Sequence, residues 1–358
     1  MATYKDSGVD VDLGDRCSKI AYEAAKATFP GRQGMLGQPV VQEGGFTGLL
    51  DMGAFYLIQN DDGVGTKMEV AERLQKFDTL GYDLIAMVAD DGICVGAEIV
   101  SITNTLDSPY LNQQMVEGLM EGLKKAALEE KIVVPGGELA ELGNALNGAV
   151  WNATAVGIVE KNKVIDGSAV EAGDTIIALA SDGIRSNGLS LARMILKEQF
   201  GEEWHEAEYK TGQNWGEVIL TPSKIYHRKL LNLLGAHKQE RKIDVKGLVH
   251  NTGGGIPGNL PRLLKAKQLG AKLTSLPKPH EFMLKLQELG DVTDEEAYKT
   301  WNMGMGMFLV VSQGDVDLIL ELLKREDLTA QVVGEVVAEP QIKVLSQGAM
   351  KEGKELLF

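Results

Sequence analysis

Three apolar segments in this sequence each run into a glycine-rich stretch that precedes a helical pattern. The segments are "FYLIQND", "TIIALA" and "VKGLVH", and the stretches that follow them are "DGVGTK", "SDGIRSNG" and "NTGGG". Glycine allows tight turns and close approach of the backbone to a ligand, and the unpaired N–H groups of a helix N-terminus bind anions. The recurrence predicts a mixed α/β protein whose ligands bind at the ends of its strands.

The length of the chain is typical of two domains. It has 358 residues, and a domain commonly has ~150. The segment "VIDGSAVEAGD", Val164–Asp174, is rich in turn-forming residues and predicts a link between the halves. We therefore expect one domain over residues 1–165 and a second α/β domain over residues 166–358, each with a sheet and helices.

Three further segments have predictable structures. Residues 1–45 are predicted to form an irregular arm with one helix near Leu13–Thr28, and residues 201–221, rich in charge and tryptophan, a surface excursion. The stretch "KIVVPGGELAEL" is predicted to be a short strand that breaks into a Gly-Gly loop. If that loop winds helically, Glu138 and Glu141 lie on one face.

Charge and cysteine content exclude several classes of protein. A formal net charge of −15 repels nucleic acid and anionic lipid, so we expect neither as a partner, and a phosphate ligand needs Mg²⁺ or a locally basic pocket. Two cysteines exclude a disulfide scaffold and suit the cytosol. The sequence contains no apolar run near the ~20 residues of a membrane helix, and "MATYKDSGVD" has no secretory pattern. We expect a cytoplasmic protein.

The stretch "DDGVGTK" combines carboxylates, glycines and a lysine in seven residues. On a strand, Asp61 and Asp62 point to opposite faces, so at most one serves a given site. Lys67 supplies a point charge for a phosphate. The spacing differs from a Walker A loop, in which the lysine follows glycine directly. The alternative is an ordinary glycine turn with solvated charges.

A second acidic pair, Asp90 and Asp91, follows apolar positions of a predicted helix. Adjacent carboxylates repel one another unless a cation shares them, and carboxylates from separate segments suit Mg²⁺. Glu138 and Glu141 are further candidates. The alternative is a solvated helix end. The scattered histidines give no zinc spacing, and there is no GxSxG nucleophile motif.

The stretch "SDGIRSNGLSLAR" is the strongest pattern of the second half. Ser186 and Asn187 precede a helix and place N–H groups at an anion site, and Arg185 can clamp a phosphate. The alternative is a helix cap beside a surface arginine. "HNTGGG" predicts a second phosphate cradle, although a lone histidine such as His250 is more often structural. The glycines of "WNMGMGM" indicate close backbone approach.

With these residues in view, the sequence resembles the phosphoribosylformylglycinamidine cyclo-ligase (aminoimidazole ribonucleotide synthetase) family. The similarity covers nearly the whole chain through motifs in a fixed order, which include "YKDSGVDVDLG", "DGVGTK", "PGGELAE", "SDGIRSNGLSLAR", "LTPSKIY", "HNTGGG" and "DEEAYKTWNMGMGM". The resemblance implies two α/β domains with mixed sheets. It also implies a homodimer in which the N-terminal sheets, from the ATP- and metal-binding half, pair into a barrel.

The resemblance also implies a reaction. ATP phosphorylates the formyl amide oxygen of formylglycinamidine ribonucleotide, a ring nitrogen attacks the iminophosphate carbon, and phosphate leaves. The products are aminoimidazole ribonucleotide, ADP and phosphate, in de novo purine biosynthesis. Such an enzyme is an ATP-dependent ligase that requires Mg²⁺ and a small nucleotide substrate, and it works mainly by positioning and charge stabilisation.

Carried over position by position, the resemblance assigns three groups of residues. The implied metal ligands are Asp62, Asp91 and Glu141. The implied catalytic residues are Lys67, Arg185 and His250. The implied contacts to ATP or substrate are Asp62, Gly63, Gly65, Thr66, Asp91, Ser186, Asn187, Gly188, Gly253, Gly254 and Asn302.

The sequence departs from the family pattern at the site. Arg185 stands where the family usually has histidine, and arginine does not deprotonate. Asp90 replaces the asparagine of an Asn-Asp pair, and "GGELAELGN" lacks the usual Thr and Pro. Two alternatives therefore stand beside the cyclo-ligase: a superfamily paralogue that phosphorylates or cyclises another small substrate, and a non-catalytic nucleotide-binding protein.

Overall fold

Two large β-sheets organise the chain in the computed structural model, which describes residues 2–40 and 47–358, and at Asp12 the backbone only. The first sheet has six strands, in the order β1-β2-β3-β6-β4-β5. Its members are β1 Gln38–Val40, β2 Gly48–Asp51, β3 Phe55–Gly63, β4 Glu98–Ser108, β5 Val133–Glu141 and β6 Val150–Glu160. Neighbouring strands are antiparallel except β4 and β5, which are parallel.

The second sheet has seven strands, in the order β10-β12-β7-β13-β11-β14-β15, and a two-stranded hairpin, β8-β9, lies apart from it. These strands are β7 Thr175–Ala180, β8 Glu208–Lys210, β9 Gln213–Asn214, β10 Gly247–His250, β11 Gly270–Leu273, β12 Met305–Val311, β13 Ala330–Val337, β14 Ile342–Leu345 and β15 Glu355–Leu357. The pair β11 and β14 is parallel and the other neighbours are antiparallel.

Eleven α-helices of the described residues connect and cover the sheets. They are α1 Val11–Lys26, α2 Lys67–Leu74, α3 Leu80–Ile93, α4 Gln113–Glu130, α5 Leu189–Phe200, α6 Trp215–Ile219, α7 His227–Leu234, α8 Gly255–Leu264, α9 Glu281–Gly290, α10 Asp294–Thr300 and α11 Val316–Arg325. This mixed α/β architecture confirms the predicted fold class. The domain boundary at residues 165 and 166 stays a prediction.

The two sheets differ in how they are covered. In β4 and β6, buried and exposed residues alternate, and α3 packs on the buried side. Every residue of β12 is buried, because alternate side chains enter two different apolar clusters. One of these clusters continues from the first sheet into the second. The two halves are therefore joined by a shared core.

Helix α4 shows how local sequence determines an element. The side chain of Asn112 accepts a hydrogen bond from the backbone N–H of Met115 and caps the first turn. Met115, Leu119 and Leu123 recur at helical spacing in the sequence, and the apolar face that they form is buried. Lys131 then adopts φ 57° and ends the helix.

Several predictions from the sequence need correction. Strand β5 runs straight through the Gly-Gly pair that was expected to break it. Glu138 and Glu141 therefore lie in extended backbone, and because they are three residues apart their side chains point to opposite faces of the sheet. The 201–221 segment is not simply a surface excursion, because Trp204 and Trp215 are fully buried. The arm helix is present as α1, whereas residues 41–46, the end of the predicted arm, lie outside the described residues.

Candidate active site

The first glycine loop joins β3 to α2. Asp61 and Asp62 point to opposite faces, as predicted: Asp61 accepts a hydrogen bond from the Thr154 hydroxyl on β6, whereas the Asp62 carboxylate accepts the N–H of Gly63 at 2.7 Å. Gly63 has no room for a side chain, since a Cβ there would lie 2.0 Å from Oδ1 of Asn152. The sequence at this strand end therefore presents one acidic side chain on each face.

Lys67, the first residue of α2, is fully buried. Its Nζ donates to Oδ1 of Asp83 at 2.7 Å and to the carbonyl of Thr221 at 2.5 Å. The Asp83 oxygen also accepts from the hydroxyl of Ser223 at 2.5 Å. The ammonium group is thus directed at a carboxylate and a carbonyl and does not face a cleft. In this structure Lys67 joins the first half of the chain to the 221–227 segment, which differs from the predicted phosphate contact.

Helix α3 carries three acidic residues with different environments. Asp83 and Asp90 are seven residues apart, on one face of the helix, and both are fully buried. Asp90 accepts hydrogen bonds from the backbone N–H groups of Tyr226 and His227 at the start of α7, at 2.8 and 3.0 Å. It also pairs with Arg185, with Nη2 and Oδ2 3.0 Å apart. Because Asp90 is bound in this way, the solvated helix end considered from the sequence is excluded.

Arg185, His250 and Asp91 form a chain of contacts. Nη2 of Arg185 lies 2.8 Å from Nε2 of His250, and Nδ1 of His250 lies 2.8 Å from Oδ1 of Asp91. Burial lowers the pKa of His250 to about 3, and the charge of Arg185 acts in the same direction. Arg185 is 1% exposed, so the surface arginine considered from the sequence is also excluded.

Asp62 and Asp91 have the electrostatics of a cation site. Burial raises the pKa of Asp91 to about 7. Burial also raises the pKa of Asp62 to about 6, and the charge of Asp91 contributes to that rise. Two hard carboxylates whose ionised forms are disfavoured by burial, one of them also by the charge of the other, are a donor set that a divalent cation stabilises. Mg²⁺ therefore fits these two residues.

The third predicted metal ligand, Glu141, lies elsewhere. It ends the exposed strand β5, and its Oε2 accepts a hydrogen bond from the N–H of Leu111 at 3.1 Å. Its side chain thus contacts the 109–112 loop in the described structure, and it is not among the groups that shift the pKa of Asp62 or Asp91. The metal-binding role of Glu141 was implied by the family resemblance, and it stays a prediction.

The second glycine loop, residues 181–188, lies on Asn302. The amide nitrogen of Asn302 donates to the carbonyls of Gly183 and Ile184, both at 3.2 Å, and its oxygen accepts from the hydroxyl of Ser181 at 2.9 Å. Asn302 is 4% exposed. It therefore supports the loop from beneath, whereas the sequence predicted a ligand contact.

The three loops meet one another. A Cβ on Gly65 would lie 3.5 Å from the carbonyl oxygen of Ser186, and one on Gly253 would lie 3.5 Å from the side-chain amide of Asn187. The hydroxyl of Ser186 is buried without a hydrogen-bond partner among the described residues. The second glycine loop thus contacts both the first and the third, and it carries one unsatisfied buried hydroxyl.

The third loop ends at the N-terminus of α8, where Gly254 and Gly255 have φ 87° and 56°. A Cβ on Gly255 would lie 2.0 Å from the carbonyl oxygen of Tyr298. A cleft of about 550 Å³ opens in front of this helix start. The N-terminal arm forms its other wall through Tyr4 and Lys5, and the N–H of Tyr4 donates to Glu296 at 2.7 Å.

Several residues of the site were missed from the sequence. They are Tyr4 of the arm, Asp83 of α3 and the 221–227 segment. The signals were present, because Asp83 precedes Asp90 by two helical turns and "LTPSKIY" is one of the motifs of the resemblance. Without the fold, nothing showed that this segment crosses to α3.

The architecture is shared with solved structures. Escherichia coli HypE, a hydrogenase maturation protein, has a TM-score of 0.62 at 18% identity, with 84% of this chain and 85% of that chain covered. Thermotoga maritima PurL complexed with ADP has a TM-score of 0.56 at 18% identity, with 89% of this chain and 46% of that chain covered. At these identities the similarity establishes the fold alone.

Sequence comparison defines the family. Residues 47–159 match the N-terminal domain model of AIR synthase related proteins and residues 171–346 the C-terminal model. Phosphoribosylformylglycinamidine cyclo-ligase from Thermococcus kodakarensis is 39% identical over 97% of this chain and 99% of its own. The Methanocaldococcus jannaschii protein of that name is 35% identical over 98% and 97%. The chain belongs to the phosphoribosylformylglycinamidine cyclo-ligase family.

Proposed function

We propose that this chain catalyses the ATP-dependent cyclisation of formylglycinamidine ribonucleotide to aminoimidazole ribonucleotide, ADP and phosphate in de novo purine biosynthesis. The observation that carries the proposal is the similarity of 35% to 40% over at least nine-tenths of the chain to proteins named for this activity. The contacts between neighbouring glycine loops and the effect of the Asp91 charge on Asp62 support the proposal, since phosphoryl transfer depends on positioning and charge stabilisation.

Asp62 and Asp91 are the residues that would hold Mg²⁺. When bound there, the ion would neutralise phosphate charge during phosphoryl transfer. The chain itself would supply backbone N–H groups: α5 and α8 both begin directly after the second and third glycine loops, and such helix starts bind phosphate oxygens. Ser186 would donate its unpartnered hydroxyl to the same ligands.

The described residues offer few groups for acid–base catalysis in this region. Lys67 and Arg185 are bound to buried carboxylates, and both ring nitrogens of His250 have partners. The proposed reaction can proceed with few acid–base groups, because its first step transfers a phosphoryl group to an amide oxygen and its second expels phosphate. Positioning of the two substrates accounts for most of the catalysis in such reactions.

We further propose that the chain forms a homodimer through its first sheet. Residues 1–165, which contain that sheet, would form the ATP-binding, metal-binding and dimerisation domain. Strand β5 is one of the two edge strands of that sheet and is exposed along almost its whole length. Val133 is 62% exposed and Leu139 is 44% exposed. An apolar edge strand of this length is normally covered in a stable protein, and pairing of two such sheets into a barrel would cover it.

A cytoplasmic location is part of the proposal. Cys17 and Cys94 are both free thiols, which suits a reducing compartment. None of the helices described here is long and apolar enough to cross a bilayer. The net charge of −15 supports a small nucleotide with its cation as partner, and neither nucleic acid nor anionic membranes.

The test is direct assay with a matched pair of variants. Purified protein is incubated with formylglycinamidine ribonucleotide, ATP and Mg²⁺, and aminoimidazole ribonucleotide is quantified. Asp62→Asn should lower turnover at least tenfold because a charged metal ligand becomes neutral. Asp61→Asn, on the opposite face of β3, is the control and should retain activity. An inactive wild-type protein, or an Asp62→Asn variant with normal turnover, would refute the proposal.

A second candidate is a paralogue that phosphorylates or cyclises another small substrate. The observation that favours it is Arg185, which replaces the family's histidine in the second glycine loop and is fully buried. ATP binding or hydrolysis without formation of aminoimidazole ribonucleotide in the same assay would support this candidate over the first.

A further inference from the structure

Arg185 occupies an unusual position for a charged residue. Its backbone has φ 65°, a left-handed conformation that disfavours residues with a Cβ. Its guanidinium joins three other segments: Nη1 donates to the carbonyl of Lys224 at 2.8 Å, Nη2 contacts both Asp90 and His250, and the group lies 5.2 Å from the ring centre of Tyr226. The fold thus tolerates an unfavourable backbone conformation at the residue that makes these contacts.

The contact with His250 determines where the imidazole carries its proton. A guanidinium has five N–H donors and no acceptor. At 2.8 Å from Nη2, Nε2 of His250 must be the acceptor, because two N–H donors would repel at that distance. A neutral imidazole has one donor and one acceptor nitrogen, so the hydrogen lies on Nδ1. That nitrogen then donates to Oδ1 of Asp91 at 2.8 Å.

We propose that Arg185 and His250 are positioning residues for the cation site: Arg185 holds His250 as the Nδ1–H tautomer, and His250 holds the Asp91 carboxylate in one orientation. The inference rests on the proposed function in taking Asp91 as a metal ligand. It also changes the role predicted for both residues from the sequence, since neither is an acid or base in the reaction and each acts through Asp91.

The exposure of the three side chains supports the proposal that Arg185 and His250 act through Asp91. The side chains of His250 and Arg185 are 0% and 2% exposed, whereas the Asp91 side chain is 19% exposed. Asp91 is thus the member of the chain that reaches the solvent side, and the other two lie behind it. Partners behind a metal ligand orient it, and their loss typically lowers metal affinity by about 10- to 100-fold.

The first experiment measures the tautomer without any metal. Protein labelled with ¹⁵N-histidine is examined at pH 7 in EDTA by long-range ¹H–¹⁵N correlation NMR, and His250→Asn assigns the signal among the five histidines. We expect a pyrrole-type shift at Nδ1 and a pyridine-type shift at Nε2 of His250. Asp91→Ala should keep this preference, because Nη2 of Arg185 still donates to Nε2, and Arg185→Met combined with Asp91→Ala should remove it. A protonated His250, an Nε2–H tautomer, or an unchanged tautomer in the double variant would overturn the proposal.

The second experiment measures cation affinity with Mn²⁺ and ADP, by the electron paramagnetic resonance signal of free Mn²⁺. His250→Asn keeps an N–H donor near the position of Nδ1, whereas His250→Gln places its amide near Nε2. We expect Mn²⁺ affinity to fall about tenfold or more in His250→Gln and less than threefold in His250→Asn. His237→Asn, on the surface, is the control for the substitution itself.

Each contrary result of this comparison refutes a different part of the proposal. Equal losses in both His250 variants would refute the hydrogen bond to Asp91 as the active element. Normal affinity in His250→Gln would refute the positioning role altogether. A protein with the expected tautomer and affinities that makes no aminoimidazole ribonucleotide would refute the proposed function and leave this inference standing.

Discussion

Replacing Asp62 by asparagine should stabilise the metal-free protein while abolishing its response to metal and nucleotide. The carboxylate lies in a site where burial raises its pKa from 3.8 to about 6. The folded protein therefore binds this proton more tightly than the unfolded chain, so stability falls as pH rises from about 4 to about 6 and stays low above that range. That rise in pKa corresponds to a loss of ~3 kcal/mol.

Asparagine removes this loss because it carries no charge at any pH, and its oxygen can still accept the N–H of Gly63. In EDTA at pH 8, Asp62→Asn should unfold at a temperature a few degrees above that of the wild type, and at pH 4 the difference should vanish. With Mg²⁺ and ADP the order should reverse, because only the wild type gains stability from binding.

The assay is thermal unfolding followed by circular dichroism at both pH values, with and without Mg²⁺ and ADP. Asp61→Asn is the control and should stay within about 0.5 kcal/mol of the wild type in EDTA, since Asp61 is exposed on the opposite face. An Asp62→Asn variant that is less stable than the wild type in EDTA at pH 8 would contradict the reasoning that burial of this charge is unfavourable.

Three other substitutions test separate parts of the structure. Lys67→Met leaves Asp83 buried without its cation and should destabilise the fold by about 3–5 kcal/mol in urea unfolding, with partial recovery in the double variant with Asp83→Leu. A Lys67→Met variant as stable as the wild type would contradict the role of the buried pair. Gly255→Ala should destabilise the fold by more than ~2 kcal/mol, because φ at this position is positive and the added Cβ would meet a carbonyl oxygen. Gly258→Ala in the same helix should leave the stability unchanged or raise it, and equal effects of the two substitutions would be inconsistent with this geometry. Leu139→Lys should convert the proposed dimer to monomer in light scattering, and an unchanged mass would place the interface elsewhere.

Local sequence patterns were sufficient to predict much of the fold and the glycine loops of the site. Alternation on β3 correctly placed Asp61 and Asp62 on opposite faces, because the two-residue period of a strand is independent of its surroundings. The glycine loops were identified for the same reason: the backbone conformations they require are local. The apolar spacing of Met115, Leu119 and Leu123 is likewise a local signal, and it indicates helix α4.

Long-range pairing could not be predicted from the same patterns. Lys67 was predicted to contact a phosphate because nothing in the sequence shows that Asp83 and Thr221 approach its side chain. Glu138 and Glu141 were predicted to share a face if the Gly-Gly loop wound helically, whereas pairing with strand β4 holds both in an extended conformation. In both cases tertiary contacts determine the direction of the side chain.

The segment 221–227 belongs to the second half of the chain, yet its hydrogen bonds go to α3 of the first. Ser223 binds Asp83, and the N–H groups of Tyr226 and His227 bind Asp90. A chimaera that took its two halves from different relatives would separate these partners unless both parents had matching residues. We therefore expect the 221–227 segment and α3 to be retained or replaced together during evolution. The residues that change together would then come from both halves of the chain.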